Sequence, residues 1–126
     1  LESKNRSHEK CAYNAVKTGL EMIEALRTFN QNRQDQVNIR VGINSGTVIM
    51  GDIGSKLYRR DYTVIGDNVN IAARLESSAE KGSVLVSDTT YKLIKDFVEI
   101  ENTSSIVVKG KAEELLVHKV AQLLPI

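Results

Sequence analysis

Apolar residues recur at steps of three and four through residues 9–30. Ala12, Ala15, Val16, Leu20, Ile23 and Leu26 fall on one stripe, and the spacing predicts a long amphipathic helix. Residues 30–36 (NQNRQDQ) have no period and read as a polar connection. The period then changes to two: Val37, Ile39, Val41 and Ile43 alternate with Asn38, Arg40 and Gly42, as in a strand with one buried face. Asn44, Ser45 and Gly46 supply turn chemistry and TVIMGDIG offers a returning strand, so residues 37–52 read as a β-hairpin. Residues 54–61 (GSKLYRRD) are polar and read as an exposed arm. After a short β-prone run, YTVI, one of Gly66, Asp67 or Asn68 caps a helix that continues to about Ser78. Val84–Val86 reads as a buried strand and SDTTYKLIKDF as a short helix with its own cap. FVEI, SSIVVKG and ELLVHKV finish the chain as short strands, with Gly110 at a turn between two lysines. The pattern is α+β, an antiparallel-rich sheet covered by helices. A chain that opens on a helix and then a hairpin has no obvious central strand for its sheet. The expectation is that N-terminal strands are missing, or that a neighbouring chain fills the gap.

Composition narrows the class. The 126 residues are 41% hydrophobic and 26% charged, as in a soluble globular domain and unlike a disordered tail. A formal net charge of +1 with scattered basic residues gives no electrostatic footprint for nucleic acid or a membrane surface. Two Phe and four Tyr, none in an aromatic strand motif, argue further against a base-stacking nucleic-acid domain. Cys11 is the single cysteine; it has no disulfide or zinc partner and reads as a small buried apolar group in a reducing, cytoplasmic setting. His8 and His118 lack ligand spacing and read as structural or surface residues. No apolar run approaches the roughly 18–20 residues of a membrane span. The first residue is Leu. Residues 1–126 are therefore expected to be one partial domain, truncated at its N-terminus.

The chemistry concentrates in YTVIGDNVNIAARLE, residues 62–76. On a helix starting near Asp67, Asn70 and Arg74 are four apart and share a face, while Val69, Ala72, Ala73 and Leu75 fill the packed faces. No acid stands four residues from Arg74, so the two side chains form a donor pair suited to an anion or to developing negative charge. The competing reading is plainer: Arg74 pairs with Glu76 or Glu80, and Asn70 is simply a surface polar residue.

RVGINSGTVIMGDIG, YTVIGDNVNIAARLE and VVKGK occur in an order and spacing that resembles the class III nucleotidyl cyclase catalytic domain. The resemblance runs from about residue 12 to 120, and its specific core is a Val-Asn-x-Ala-x-Arg helix followed about 35 residues later by Lys-Gly-Lys. It implies a ferredoxin-like cyclase homology domain lacking its N-terminal strands. It also implies a reaction in which the 3′-hydroxyl of a nucleoside triphosphate attacks its own α-phosphate and pyrophosphate leaves. By the same carry-over, Asn70 orients the ribose, Arg74 stabilises the α-phosphate transition state and Lys109 contacts the triphosphate, with Lys111 solvated. Thr63 takes the base-reading position; threonine there resembles the Lys/Thr adenylyl cyclase branch, which favours ATP over GTP, the partner lysine lying upstream of residue 1.

The family's two metal-binding aspartate motifs are absent. Asp52 and Asp67 each follow a glycine but sit in the wrong context, and read as turn or capping residues. The complete domain is implied to use Mg²⁺ or Mn²⁺, with none bound by this chain alone, which is expected to be inactive. The family builds its site across a dimer, so the implied partner is a second copy or a second cyclase domain, and Tyr58, Arg59 and Arg60 in the 54–61 arm are candidate contacts. Two alternatives stand beside an adenylyl cyclase: a guanylyl cyclase, and a non-catalytic cyclase-homology module for dimerisation or nucleotide-dependent regulation.

Overall fold

In the computed structural model of the chain, residues 2–53, 61–108, 110 and 113–125 are described, with side chains described over 7–50, 65–108, 110 and 113–125. Residues 54–60 of the 54–61 arm, Lys109 and Lys111 lie outside them, while Asp61, read with the arm, is the first residue of a strand. The elements run α1 (Glu2–Phe29), β1 (Arg40–Ile43), β2 (Ile49–Ile53), β3 (Asp61–Ile65), α2 (Asp67–Ser78), β4 (Ser83–Ser87), α3 (Asp88–Ile94), β5 (Val98–Val107) and β6 (Glu114–Leu123). A short 3₁₀ turn, Lys95–Phe97, joins α3 to β5.

Four strands form a sheet in the order β1-β4-β6-β5, while β2 and β3 make a separate ribbon. The β1–β4 pair is parallel, Val41 opposite Val84 and Ile43 opposite Val86; the other pairs are antiparallel. Alternation along the central strands divides the core in two. Val84, Val86 and Val120 face Ala12, Val16 and Ile23 of α1 and Ile94 of α3. Leu85 and Val117 face Ile71 and Leu75 of α2. β4 is buried at all five positions because it is paired on both edges and covered on both faces.

α2 approaches β1 at Gly42. A Cβ there would lie 2.3 Å from the Glu76 backbone nitrogen and 2.8 Å from the Ala72 carbonyl oxygen. Strand and helix therefore meet backbone to backbone, and only glycine leaves the room.

Several expectations change. Residues 37–52 do not form a hairpin: β1 pairs with β4, and β2 pairs instead with β3 across the arm. The alternation in VNIRVGI does belong to a strand, but its partner is set by burial between α1 and α2 rather than by the nearest turn. Val37 lies before the strand, its N–H donating to Asn30 Oδ1 at 2.9 Å and its carbonyl accepting from Asn30 Nδ2 at 2.7 Å. Asp52 stands within β2 opposite Tyr62, a strand residue rather than a turn residue. Residues 98–100 of FVEI and 104–107 of SSIVVKG belong to a single ten-residue strand, its register shifted between Glu99 and Asn102. Cys11 is exposed, because the buried stripe of α1 runs through Ala12, Val16 and Ile23 and leaves its neighbour turned outward.

His118 is buried and structural. Its ring stacks on Tyr91 at 4.2 Å, Nδ1 meets Thr103 Oγ1 at 2.9 Å, and Nε2 donates to Asp88 Oδ1 at 2.8 Å. The hydrogen bond from His118 holds the Asp88 carboxyl below the usual carboxylate range, with Lys92 adding to it and burial opposing it. Lys119 is raised, first by its hydrogen bond to Glu101 and then, against burial, by Glu80.

Gly42→Ala is expected to lower stability by about 2–3 kcal/mol, seen as a lower urea midpoint at unchanged slope. For pH, Asp88 titrates lower in the folded state, so its contribution is complete above its unfolded value of about 3.9 and is lost as acid passes through the folded one. Lys119 titrates higher when folded, so its contribution is complete below about 10.4 and is lost as pH rises through the folded value. Urea midpoints across pH should show Asp88→Asn with a shallower acid limb than the parent; identical limbs would remove Asp88 from the account.

Candidate functional site

The site helix starts at a glycine for a conformational reason. Gly66 caps α2 at φ 132°, a region that side-chain-bearing residues avoid, although no atom lies within 4 Å of where a Cβ would be. Its carbonyl accepts from the Val69 and Asn70 amides at 3.1 and 3.3 Å. No side chain caps this helix, so Asn68 does not take the capping role open to it in the sequence. Asp67 stands in the first turn, where negative charge complements the helix dipole.

Ile71 and Leu75 are the buried stripe of α2. Asn70 and Arg74, one residue earlier in each turn, are exposed on the rim beside that stripe. Arg74 Nε donates to the Val107 carbonyl at 2.9 Å. Val107 is the last residue of β5, and the chain passes from it through buried Val108 to Lys109. The arginine is thus tied to the strand end that leads to Lys109, whose own placement lies outside the described residues. The surface ion pair weighed against this is not formed: Glu80 binds Lys119 at 3.3 Å, and among the described residues no carboxylate pairs with Arg74. Arg74 keeps two Nη nitrogens for other acceptors, in the planar fork that suits phosphate.

Thr63 lies in β3 opposite Gly51, on the ribbon that leads directly into α2; its side chain is outside the described set. The structure therefore brings Asn70, Arg74 and the approach to Lys109 to one rim, and places the backbone of Thr63 one short turn ahead of the same helix.

Two residues that the sequence offers only as a turn residue and a cap candidate, Asn44 and Asn68, hold this rim in place. Asn44 Nδ2 donates to both the backbone oxygen and Oδ1 of Asn68, each at 3.0 Å, and Asn68 Nδ2 donates to the Thr47 carbonyl at 2.8 Å. Gly46 lies so close that a Cβ there would be 2.3 Å from Asn68 Nδ2. On the other side of the loop, Ser45 Oγ meets Thr90 Oγ1 of α3 at 2.8 Å. No periodicity links two positions so far apart in the chain, so this bridge has no sequence signature.

Among the described residues, no three His, Cys, Asp or Glu side chains come together so as to hold a metal ion. Also among them, no helix is long and apolar enough to cross a membrane.

A family model described as the adenylate and guanylate cyclase catalytic domain matches residues 2–121. Adenylate cyclase type 9 of Gallus gallus is 36% identical over 91 residues, which is 72% of this chain but 7% of that protein. The solved adenylyl cyclase CyaB from P. aeruginosa superimposes with a TM-score of 0.83 at 35% identity, over 91% of this chain and 61% of that one. The guanylate cyclase domain of RhGC from Catenaria anguillulae, solved in complex with GTP, gives a TM-score of 0.74 at 33% identity, over 90% and 60%. The chain thus spans a small part of its curated relative and about three fifths of the solved domains.

Exchanging Arg74 for Lys is expected to remove the bond to Val107, because an ammonium has no Nε donor midway along its stem. A crystal structure of Arg74→Lys should show the new side chain detached from the Val107 carbonyl, and a lysine seated on that oxygen would contradict the anchoring.

Proposed function

The chain belongs to the adenylate and guanylate cyclase catalytic domain family, and from that premise we propose that it is part of an adenylyl cyclase domain that converts ATP to 3′,5′-cyclic AMP and pyrophosphate. The supporting observation is the rim on α2, where Asn70 and Arg74 share an exposed face and Arg74 is anchored at 2.9 Å to the strand end preceding Lys109.

In the proposed reaction the ribose O3′ bonds to the α-phosphorus, its proton is lost, and the bond from that phosphorus to the bridging β-phosphate oxygen breaks. Negative charge grows on the α-phosphoryl oxygens and on the leaving pyrophosphate, so the protein contributes position and fixed positive charge. The Arg74 Nη groups donate to the α-phosphoryl oxygens, Asn70 orients the ribose, and Lys109 meets the triphosphate as a point charge. The Thr63 hydroxyl, able to accept from an amino group or donate to a ring nitrogen, reads adenine. Divalent Mg²⁺ or Mn²⁺ in such domains activates the hydroxyl and neutralises phosphate charge. The described residues do not offer a ligand set for it.

The rim is half of a site under this reading, the other half coming from a second copy or a second cyclase domain. Beside it, Ile49 and Ile65 are opposed in register on the ribbon and are 64% and 47% exposed, apolar surface suited to such a partner. A single cysteine and the absence of a candidate membrane helix among the described residues favour a cytoplasmic setting. Guanylyl cyclase is the second reading, favoured by the likeness to the GTP-bound domain; Thr63 is the residue that weighs toward ATP.

In the longer protein containing this chain, Arg74→Ala is expected to lower kcat for cyclic AMP formation about 10²- to 10³-fold with a small change in KM, the pattern of a group that acts on developing charge. Thr63→Val should lower kcat/KM for ATP about 10-fold without a matching fall in kcat/KM for GTP. The 126-residue chain alone, assayed with ATP and Mn²⁺, is expected to make no cyclic nucleotide. Adding it to a full domain disabled only at the position matching Arg74 should restore turnover; silence from a demonstrated heterodimer would count against a shared site.

A further inference from the structure

We propose that Asn44 is a positioning residue for this reaction, acting through Asn68 to set the first turn of α2 and with it the placement of Asn70. The inference rests on the cyclase reading of the rim, but its argument is geometric. Asn44 lies in the link after β1, a strand already fixed to α2 through the glycine contact at Gly42. Its amide nitrogen spans two oxygens of one residue, the backbone carbonyl and Oδ1 of Asn68, both at 3.0 Å. Oδ1 of Asn68 faces Asn44 because the Nδ2 end of the same amide is turned to the Thr47 carbonyl, to which it donates at 2.8 Å. The bridge therefore reads both the main chain and the side chain of the second helical residue, and fixes the turn in translation and in rotation about the helix axis.

Asn70 lies two residues further, about 200° around the helix. Turning the first turn in its seat therefore swings Asn70 through the same angle on the outer side. No side chain of α2 caps the turn from within, since the cap residue is Gly66. The far side of the same link is held by Ser45 on Thr90, a residue with no exposed surface, so the bridge is mounted on a fixed base rather than on a free loop. Asn44 touches neither rim residue among its described contacts, which makes it a positioning and not a catalytic group.

The test is a double-mutant cycle in the longer protein. Asn44→Ala is expected to lower kcat about 10-fold while KM for ATP stays within about twofold, the scale of a small misplacement of a reacting group. In an Asn70→Ala background the same change should cost less than about twofold, because there is no side chain left to misplace. A full, additive loss in that background overturns the proposal in favour of a general role in folding, as does wild-type kcat in Asn44→Ala. Should Asn44→Ala be insoluble, Asn68→Ala removes Oδ1 and the bond to Thr47, and the same cycle with Asn70→Ala decides between the same two outcomes. Failure of the underlying reading is told apart by Arg74→Ala: if that variant keeps its cyclase activity the rim is not the site, whereas its loss beside an unaffected Asn44→Ala overturns the positioning role alone.

Discussion

At Gly42 the backbone of β1 meets the backbone of α2 with no side chain between them, and a Cβ would fall 2.3 Å from the Glu76 nitrogen. That spacing sets everything on the α2 face. Ile71 and Leu75 reach Leu85 and Val117 only because the helix lies this low over the sheet. Asn68 is within reach of Asn44, and Arg74 within reach of Val107, for the same reason. The rim on α2 is therefore placed by main chain first and refined by side-chain hydrogen bonds second.

Charge is handled differently at the rim and elsewhere. Lys119 sits between Glu80 and Glu101, and Asp88 between His118 and Lys92, each cluster satisfying itself within the protein. Arg74 is held instead by a neutral carbonyl through Nε. Such a contact ties α2 to the end of β5 and orients the guanidinium without committing its charge to a carboxylate, which leaves that charge available to an anion.

Much of this is legible in residue order. The helix carrying Asn70 and Arg74 announces itself through a glycine start and an apolar stripe, and the amphipathic period of α1 and the capped start of α3 are equally plain. Pairing is not legible. VNIRVGI and TVIMGDIG flank a sequence that makes good turns, yet each strand pairs elsewhere, because β1 is claimed by β4 and by helices on both sides. The same local logic misplaces Asp52, whose glycine neighbour suggests a turn where the ribbon continues. Residue type alone misleads at Cys11, where a shift of one position around α1 decides whether a side chain faces the sheet. The Asn44–Asn68 bridge joins two amides from segments with no shared period, and asparagines two residues from a glycine have too many ordinary uses in turns and caps for either to stand out.

A contact made only of main chain offers no side chain through which a ligand, a modification or a neighbouring domain can loosen it. At Gly42 the strand and the helix behave as one rigid piece. Among the described residues, the side-chain joints beside that contact are the amide bridge at the start of α2 and the arginine anchor at the end of β5, and under the proposed function any adjustment of the rim on binding nucleotide falls on them. Those two joints, and not the scaffold beneath them, are where the described part of the rim can yield.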